Sequence, residues 1–451
     1  MYTAGIAAAV GLLAIVPACS RAGGDGRAGR PAVTEQSLAR TSDKDSRESL
    51  SNLAASLRRV QRLGDFDALT TAAQAAAKSG KISDDAQLLV IEGLLAASDL
   101  PAAEQMSRQL LRPANSEDLA TPILKLWSIA RLRQGKPLVE ADREQELPRA
   151  AGDASDAGSV LFWQQELGRA DPYRIPDENQ SAQLPLKRVR RSGPEGDFVV
   201  EGIAAEFNGA TAPLVFIDTG AQYTIISTKL AREAGVKIGP ATTELVGFAR
   251  SVARPAVVRE LRIGSLTVEN VPVYVADSAP LESAGGQAAI GTDLMYHVRL
   301  SIDYPHSRVT AKPARDMLDQ RSIQASWKVP VWAFAHVPLA QATTRDGRYA
   351  RVLIDTGNRT GAYVSGRWQS RISGRDRLEG SPTSGLFKRK PTELPELSLA
   401  GHQLTDWPVT GLLPGALERA DLVDVLIGHD LISEYLLTID LRGGALYLTP
   451  H

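Results

Sequence analysis

The spacing of apolar residues divides the chain into a helical part and a β-rich part. Between residues 51 and 147, Ala, Leu, Gln, Arg and Glu dominate, and apolar residues recur at the spacing of one helix face. From residue 195 the pattern changes to short apolar runs separated by Gly and Pro, which is typical of β-strands. The sequence therefore predicts a multidomain protein in which an α-helical segment precedes an all-β C-terminal half.

The helical segment, residues 51–147, contains an internal repeat. The turn Ser98-Asp99-Leu100-Pro101 has an earlier counterpart in Gly64-Asp65-Phe66-Asp67, displaced by 34 residues, and a looser third copy begins at Gly135. Two predicted helices flank the second turn, and their apolar faces consist of Leu88, Leu89, Ile91, Leu94 and Leu95, and of Ala102, Met106, Leu110 and Leu111. This period resembles tetratricopeptide repeats, which implies a groove for a peptide or protein partner. The alternative is a plain helical domain that shields or spaces the next domain.

The start of the chain resembles a bacterial export signal. The apolar run from Ile6 to Val16 is too short to span a bilayer and has the length of a signal-peptide core. It ends in Val16-Pro17-Ala18-Cys19, which resembles a lipobox and predicts residues 1–19 as a signal with lipidation at Cys19. The alternative is a signal peptide cut nearby, with Cys19 incidental. Both interpretations predict export to the periplasm, and lipidation would anchor the protein to the bacterial envelope.

Two further stretches are predicted to connect domains. Residues 20–50 are polar, charged and rich in Gly, as expected of a flexible tether. Residues 148–194 are rich in Pro, Asp and Arg and are interpreted as a linker. Its basic run from Lys187 to Arg191 is interpreted as a solvated surface.

The β-rich half is a tandem duplication. Val215-Phe216-Ile217-Asp218-Thr219-Gly220-Ala221 is repeated as Val352-Leu353-Ile354-Asp355-Thr356-Gly357-Asn358. A second motif, apolar-apolar-Gly, ends at Gly291 and again at Gly428, in each case 73 residues after the motif's Asp. The duplication divides this half into lobe 1, residues 195–315, and lobe 2, residues 322–451.

These paired motifs resemble those of the retropepsin and pepsin group of aspartic proteases. The resemblance covers residues 195–451 and implies a bilobal acid-protease-like fold whose site is assembled within one chain. It implies that Asp218 and Asp355 form a catalytic dyad, that Thr219 and Thr356 brace the two loops, and that Gly220 and Gly357 permit the tight turns. Two adjacent carboxyl groups share one proton, so that one activates water while the other donates to the substrate carbonyl.

The resemblance also implies a flap that closes over the substrate. Its lobe 1 candidates are Gly247 and Phe248, and the lobe 2 counterparts are Gly385 and Phe387. The residues after the two Asp-Thr-Gly motifs differ, since Ala221 matches retropepsins whereas Asn358 departs from the family pattern. Without a hydroxyl at Ala221 to favour ionisation, we expect a raised pKa for the dyad and activity nearer neutral pH.

The composition of the chain excludes several other classes of function. The 451 residues carry a net charge of -1, which gives no electrostatic basis for binding nucleic acid. A single Cys excludes intramolecular disulfides, zinc ribbons and iron–sulfur clusters, and no P-loop or G-x-S-x-G motif is present. No metal site and no cofactor are predicted.

The sequence thus predicts an exported aspartic endopeptidase that acts on envelope or secreted polypeptides, with a possible protein partner at the helical repeats. The alternative is a non-catalytic polypeptide-binding module that uses the protease fold and the helices without cleaving what they bind.

Overall fold

The structure is a computed structural model, and it describes most of the chain after residue 42. The described residues are 43–80, 82, 84–111, 117–139, 156–193, 196–246, 250–276, 281–282, 285–315, 318, 323, 326–334, 336–358, 361–369, 392–393, 397–404, 408–413 and 422–451. Cys19 and the four flap candidates Gly247, Phe248, Gly385 and Phe387 lie outside these residues, and the predictions made for them stay predictions.

The N-terminal part is helical, as its periodicity predicts. Its helices are α1 (Asp43–Leu63), α2 (Phe66–Ser79), α3 (Asp84–Ala96), α4 (Leu100–Leu110) and α5 (Glu117–Gln134). The 34-residue repeat has a structural cause, because Asp65 and Asp99 occupy equivalent N-cap positions. Their side chains accept hydrogen bonds from the amides of Ala68 and Ala102 at the starts of α2 and α4. The tetratricopeptide resemblance beyond this period stays a prediction.

The structure differs from the sequence prediction in both connecting stretches. Helix α1 begins at Asp43, inside the predicted tether of residues 20–50. The predicted linker of residues 148–194 contains helix α6 (Asp156–Leu167) and strands β1 (Ala182–Pro185) and β2 (Lys187–Gly193). The basic run is therefore a strand rather than a connector, because it pairs with the first long strand of lobe 1.

The described part of lobe 1 consists mainly of strands, from 3 to 14 residues long, with short helices between them. In chain order these are β3 (Gly196–Phe207), β4 (Ala210–Ile217), β5 (Ile225–Ser227), α7 (Thr228–Glu233), β6 (Thr243–Val246), β7 (Arg250–Ile263), β8 (Leu266–Ala276), β9 (Ala288–Ile290), α8 (Thr292–Met295), β10 (Val298–Asp303) and β11 (Arg308–Pro313). Its main sheet has the order β2-β3-β4-β9-β5-β8-β7-β6.

Lobe 2 repeats this plan. In chain order its elements are β12 (Trp327–Pro330), β13 (Trp332–Phe334), β14 (Val337–Thr344), β15 (Tyr349–Ile354), β16 (Ala362–Val364), α9 (Gly366–Gln369), β17 (Thr392–Glu393), β18 (Leu397–Leu399), β19 (His402–Leu404), β20 (Pro408–Leu412), β21 (Val425–Ile427), α10 (His429–Ile432), β22 (Leu436–Asp440) and β23 (Ala445–Thr449). Its main sheet has the order β17-β20-β16-β21-β15-β14-β18-β19, and β13 pairs with β14.

The duplication read from the sequence is reproduced in the strand pairing. Strand β4 pairs in parallel with β9 in lobe 1, and β15 pairs in parallel with β21 in lobe 2. In each pair the first strand leads into an Asp-Thr-Gly motif and the second leads into the glycine of the apolar-apolar-Gly motif. A third sheet joins the lobes in the order β1-β11-β10-β22-β23-β12, with β10 of lobe 1 paired to β22 of lobe 2.

The helices cover the outer faces of the two lobes. Trp163 of α6 is fully buried against lobe 1, where its indole nitrogen donates to the carbonyl of Ala256 at 3.0 Å. Helices α1 to α5 contribute residues to a hydrophobic core shared with lobe 2, where the ring centroid of Phe66 in α2 lies 4.9 Å from that of Phe334. Helix α5 also contributes residues to the core that contains lobe 1. Because side chains alternate along a strand, Leu353 faces this helical core while Val352 and Ile354 face the interior of the lobes. Among the described helices, none is long and apolar enough to cross a membrane.

Candidate active site

Two strand ends bring Asp218 and Asp355 into one buried site. Asp218 follows β4 and its amide donates to the carbonyl of Ile290 at 3.0 Å, while the Asp355 amide donates to Ile427 at 2.8 Å. These bonds tie each loop to the neighbouring parallel strand of its own lobe. Both side chains are buried, with 0% and 2% of their surface exposed. The structure thus brings both residues into one buried region of a single chain, and their assignment as a catalytic dyad stays a prediction.

The threonines of the two Asp-Thr-Gly loops form hydrogen bonds from one loop to the other. The Thr219 amide donates to Thr356 Oγ1 at 3.0 Å, and the Thr356 amide donates to Thr219 Oγ1 at 3.0 Å. Each hydroxyl in turn donates to the partner lobe's strand, to Ile354 O at 2.6 Å and to Ile217 O at 2.8 Å. Every buried polar group of this exchange is satisfied, so the arrangement fixes the relative position of the loops.

The glycines that follow the threonines allow the carboxyl groups to approach the opposite loop. A Cβ atom at Gly220 would lie 2.9 Å from all three carboxyl atoms of Asp355. A Cβ atom at Gly357 would lie 2.6 Å from the carboxyl carbon of Asp218. Such distances are shorter than non-bonded carbon contacts allow, so both positions require glycine because of the close approach.

Backbone amides hold one oxygen of each carboxyl group. Asp218 Oδ1 accepts from the amides of Gly220 at 2.8 Å and Ala221 at 3.2 Å. Asp355 Oδ1 accepts from Gly357 at 2.8 Å and Asn358 at 3.2 Å. The two halves of the site therefore match to 0.1 Å or better in these bonds.

The pair retains a proton more strongly than an isolated carboxyl group. Burial is the largest cause that raises the pKa of Asp218 well above its usual range, followed by the charge of Asp355 and a hydrogen bond between the two carboxyls. The amides of Gly220 and Ala221 lower that pKa in part. Because like charges in contact resist joint ionisation, we expect the two groups to titrate as a pair.

The departure at Asn358 leaves the second loop intact. Its backbone amide contacts Asp355 just as the Ala221 amide contacts Asp218, and its side-chain amide donates to the carbonyl of Gly361 at 3.2 Å. That bond runs along the loop of lobe 2, so the longer side chain braces its own turn. The sequence alone left open whether this amide reaches the dyad or points elsewhere.

In each lobe, the residue after the apolar-apolar-Gly motif forms a hydrogen bond with the Asp-Thr-Gly loop. The Thr292 amide donates to Ala221 O at 2.9 Å in lobe 1, and the His429 amide donates to Asn358 O at 2.9 Å in lobe 2. The neighbouring Asp293 is buried and accepts from Thr224 Oγ1 at 3.0 Å and Tyr173 Oη at 2.9 Å. These contacts indicate a structural role for Asp293.

The flanks of the lobe 1 flap candidate form a hairpin. Strand β6 pairs with β7 in antiparallel register, with Val246 opposite Arg250. The tip between these residues, which contains Gly247 and Phe248, lies outside the described part of the chain. The β6–β7 pairing flanks the candidate residues, and their role as a flap stays a prediction.

One cluster outside the dyad contains residue types that bind metal ions. Asp303, His306 and His451 have ligand atoms within 4.8 Å of one another. His306 Nδ1 lies 2.9 Å from Asp303 Oδ1, and Arg308 Nη2 lies 3.8 Å from Asp303 Oδ2. An imidazole–carboxylate contact and an ion pair therefore account for the grouping. The sequence, in which the histidines are scattered, gave no indication of it.

Sequence reasoning missed a buried group behind the Asp218 loop. Arg133 of α5 and His336, which precedes β14, meet there although they lie 203 residues apart. Neither residue stands in a motif, and the pattern around Arg133 is that of an ordinary helix. A tertiary contact of this kind carries no local sequence signal.

The comparison with known protein families finds a match within lobe 1. Residues 203–294, which contain Asp218 and end within α8, match the family model for aspartyl protease. No curated protein matches the chain. The crystal structure of aspartic proteinase from Irpex lacteus is similar at 10% sequence identity and a TM-score of 0.39, covering 60% of this chain and 97% of that one. The family match supports a protease family and covers the first of the two loops.

Proposed function

We propose that the protein is an aspartic endopeptidase that hydrolyses peptide bonds with the Asp218/Asp355 dyad. The observation that carries the proposal is the pair of matched loops, each locked to the other by threonine and each presenting one buried carboxyl group. The aspartyl protease match over residues 203–294 supports it independently. The substrate class follows from that family, and no cofactor takes part in the proposed reaction.

The proposed chemistry uses the single proton shared by the dyad. The ionised carboxyl takes a proton from water as the water oxygen attacks the peptide carbonyl carbon. The protonated carboxyl donates to the carbonyl oxygen, which produces a neutral tetrahedral intermediate. The protonated carboxyl then gives its proton to the amide nitrogen while the ionised carboxyl takes a proton from a hydroxyl of the intermediate. The C–N bond breaks, a carboxylic acid and an amine leave, and the dyad again holds one proton. The raised pKa of Asp218 keeps that proton available above the ordinary range of carboxyl groups.

Replacement of either aspartate tests the proposal. We expect Asp218→Asn and Asp355→Asn to lower the cleavage rate of a denatured protein about 10³-fold or more, since each removes one half of the acid–base pair. The matched control is Asp346→Asn, a residue of the β14–β15 turn whose side chain is 60% exposed. We expect it to cleave like the wild type.

The same assay distinguishes an active peptidase from a non-catalytic polypeptide-binding module. If the wild type and Asp218→Asn are equally inert between pH 3 and pH 8, the protein is not a peptidase of this kind. An activity maximum near pH 2 to 3 would contradict the near-neutral optimum expected from the raised pKa of the dyad and from Ala221.

The proposed location is the periplasm, with attachment to the envelope by a lipid on Cys19. Only the sequence from Ile6 to Cys19 supports this part of the proposal. We expect the wild type to fractionate with membranes and Cys19→Ser to be recovered in the soluble periplasmic fraction. Equal distribution of the two proteins would remove the lipid anchor and leave export by an ordinary signal peptide.

A further inference from the structure

Arg133, near the C-terminal end of helix α5, places its side chain behind the Asp218 loop. This side chain belongs to the helical segment, yet it is buried, with 2% of its surface exposed. Its guanidinium donates to Leu95 O at 3.1 Å within the helices and to Ala333 O at 3.1 Å in lobe 2. It also lies 4.5 Å from the ring centroid of Tyr296 in lobe 1. One side chain therefore contacts all three parts of the molecule.

The described partners of Arg133 include no carboxylate. They are two backbone carbonyls, the face of an aromatic ring and the imidazole of His336, whose Nδ1 accepts from Arg133 Nε at 3.4 Å. Burial of a cation without a counter-charge is costly, so the residue is unsuited to a purely stabilising role. A guanidinium also supplies several donors in a fixed plane, which a lysine at this position would not.

His336 is held in an uncommon conformation. Its φ is +74°, in the left-handed region, and its side chain is fully buried. Burial is the largest cause that lowers the pKa of His336 well below its usual range, and the charge of Arg133 acts in the same direction. A neutral imidazole leaves Nδ1 free to accept, as the contact with Arg133 requires. Residues in this backbone region persist only where their surroundings hold them.

The backbone of His336 contacts the motif that supports the Asp218 loop. Thr292 Oγ1 donates to His336 O at 2.7 Å, and the Thr292 amide donates to Ala221 O at 2.9 Å. The Ala221 amide in turn donates to Asp218 Oδ1 at 3.2 Å. The His336 ring also packs edge-on against Tyr223, at 5.0 Å between centroids, on the same loop. A continuous chain of contacts thus leads from the helical segment to the carboxyl group of Asp218.

We propose that Arg133 is a positioning residue that, through His336 and Thr292, holds the Asp218 loop in its reactive geometry. The helical segment is then a part of the peptidase site rather than a spacer, and changes at the end of α5 control catalysis. The inference rests on the proposed peptidase function and adds to it a residue outside both lobes. Small displacements of a catalytic group lower rates strongly without weakening substrate binding to the same extent.

The test compares Arg133→Met and Arg133→Lys with Arg131→Met in the full chain. Arg131 is a matched control, since it lies two residues earlier on α5 and is also buried. Its described contacts are made to Glu104 at 2.7 Å, to Pro137 O and to the Trp127 ring, all within the helical segment. We expect Arg133→Met to lower kcat about 10- to 100-fold with a change in KM below about 3-fold, and to alter the pH profile of kcat. We expect Arg133→Lys to be intermediate.

A merely structural role predicts a different result. In that case both Met variants would lower the melting temperature and neither would change kcat or its pH profile. If Arg133→Met does not fold, His336→Asn replaces it, because Asn tolerates the left-handed conformation and removes the imidazole. Wild-type kcat and pH profile in the folded variant would overturn the proposal.

Hydrogen exchange provides a readout that does not depend on activity. The amides of Ala221 and Thr292 are expected to exchange faster in Arg133→Met than in the wild type and in Arg131→Met. Unchanged exchange at both amides would overturn the positioning role even if the wild type were inert. An inert wild type with accelerated exchange would instead reject the proposed peptidase function and retain the structural coupling.

Discussion

At the scale of single residues, the candidate site depends on the absence of side chains as much as on their chemistry. Asp218 and Asp355 supply the carboxyl groups, but Gly220 and Gly357 set the distance between the loops. Neither glycine has a positive φ, so the requirement comes from the opposing carboxyl group and not from the backbone. Sequence motifs revealed these residues because the functional groups and their neighbours are consecutive in the chain.

Replacement of Gly220 by Ala tests this close approach. The new methyl group would lie 2.9 Å from the Asp355 carboxyl atoms and displace them, since the surrounding loop is fixed by the threonine contacts. We expect a loss of cleavage rate of about 100-fold and a destabilisation of about 1–3 kcal/mol. Gly357→Ala is expected to act in the same way on Asp218. Wild-type kcat in either variant, measured on folded protein, would contradict this explanation.

A second residue-scale prediction concerns the buried His297. Burial is the largest cause that lowers its pKa, to about 3, and its Nε2 lies 2.8 Å from Leu132 O. The unfolded chain binds a proton on this residue below about pH 6.5, and the folded chain does not until about pH 3. The folded pKa is depressed, so for a histidine the stability falls as the pH falls through this window.

Urea unfolding of the wild type and His297→Gln measures that contribution. Between pH 6 and pH 4 we expect the free energy of unfolding of the wild type to fall, relative to the variant, by up to about 1.4 kcal/mol per pH unit. Glutamine removes the titrating group and keeps a donor toward Leu132 O. Parallel pH curves for the two proteins would show that His297 is not buried in its neutral form.

At the scale of elements, the strand ends that carry the site were predictable and the edge strands were not. The runs before Asp218 and Asp355 are apolar because β4 and β15 are central strands covered on both faces. Strand β2, in contrast, reads Lys187-Arg188-Val189-Arg190-Arg191 and lies at the edge of its sheet. It owes its conformation to pairing with β3, and a polar edge strand has no apolar pattern to reveal it.

The contact between the two strand ends is expected to depend on hydroxyl chemistry at Thr219. Thr219→Ser keeps the acceptor for the Thr356 amide and the donor to Ile354 O, whereas Thr219→Val has the same shape and removes both. We expect Thr219→Val to lower the free energy of unfolding by about 1–3 kcal/mol for each buried group left unpaired. Thr219→Ser is expected to lower it much less. Thermal and urea unfolding measure the difference. Equal stabilities for Ser and Val would exclude this role.

At the scale of the whole molecule, the helices and the lobes share their hydrophobic cores. The sequence predicted both parts but treated residues 148–194 as a linker between them, because periodicity describes elements and not their packing. Phe66 shows the connection, since its ring lies 5.4 Å from Trp332 and 4.9 Å from Phe334, and its amide donates to Gln341 Oε1 at 3.0 Å. All three partners belong to lobe 2.

This packing predicts that the helical segment and lobe 2 unfold together. Phe66→Ala would empty a fully buried site between them, at a cost of about 3–5 kcal/mol. Leu63, at the end of α1, is 52% exposed, so Leu63→Ala is the matched control and is expected to change stability by less than about 0.5 kcal/mol. Far-ultraviolet circular dichroism and tryptophan fluorescence should report one coincident urea transition, shifted as a whole by Phe66→Ala. Two separate transitions, with only the helical one shifted, would mean that the helices are an independent domain and that their contacts with lobe 2 add little to its stability.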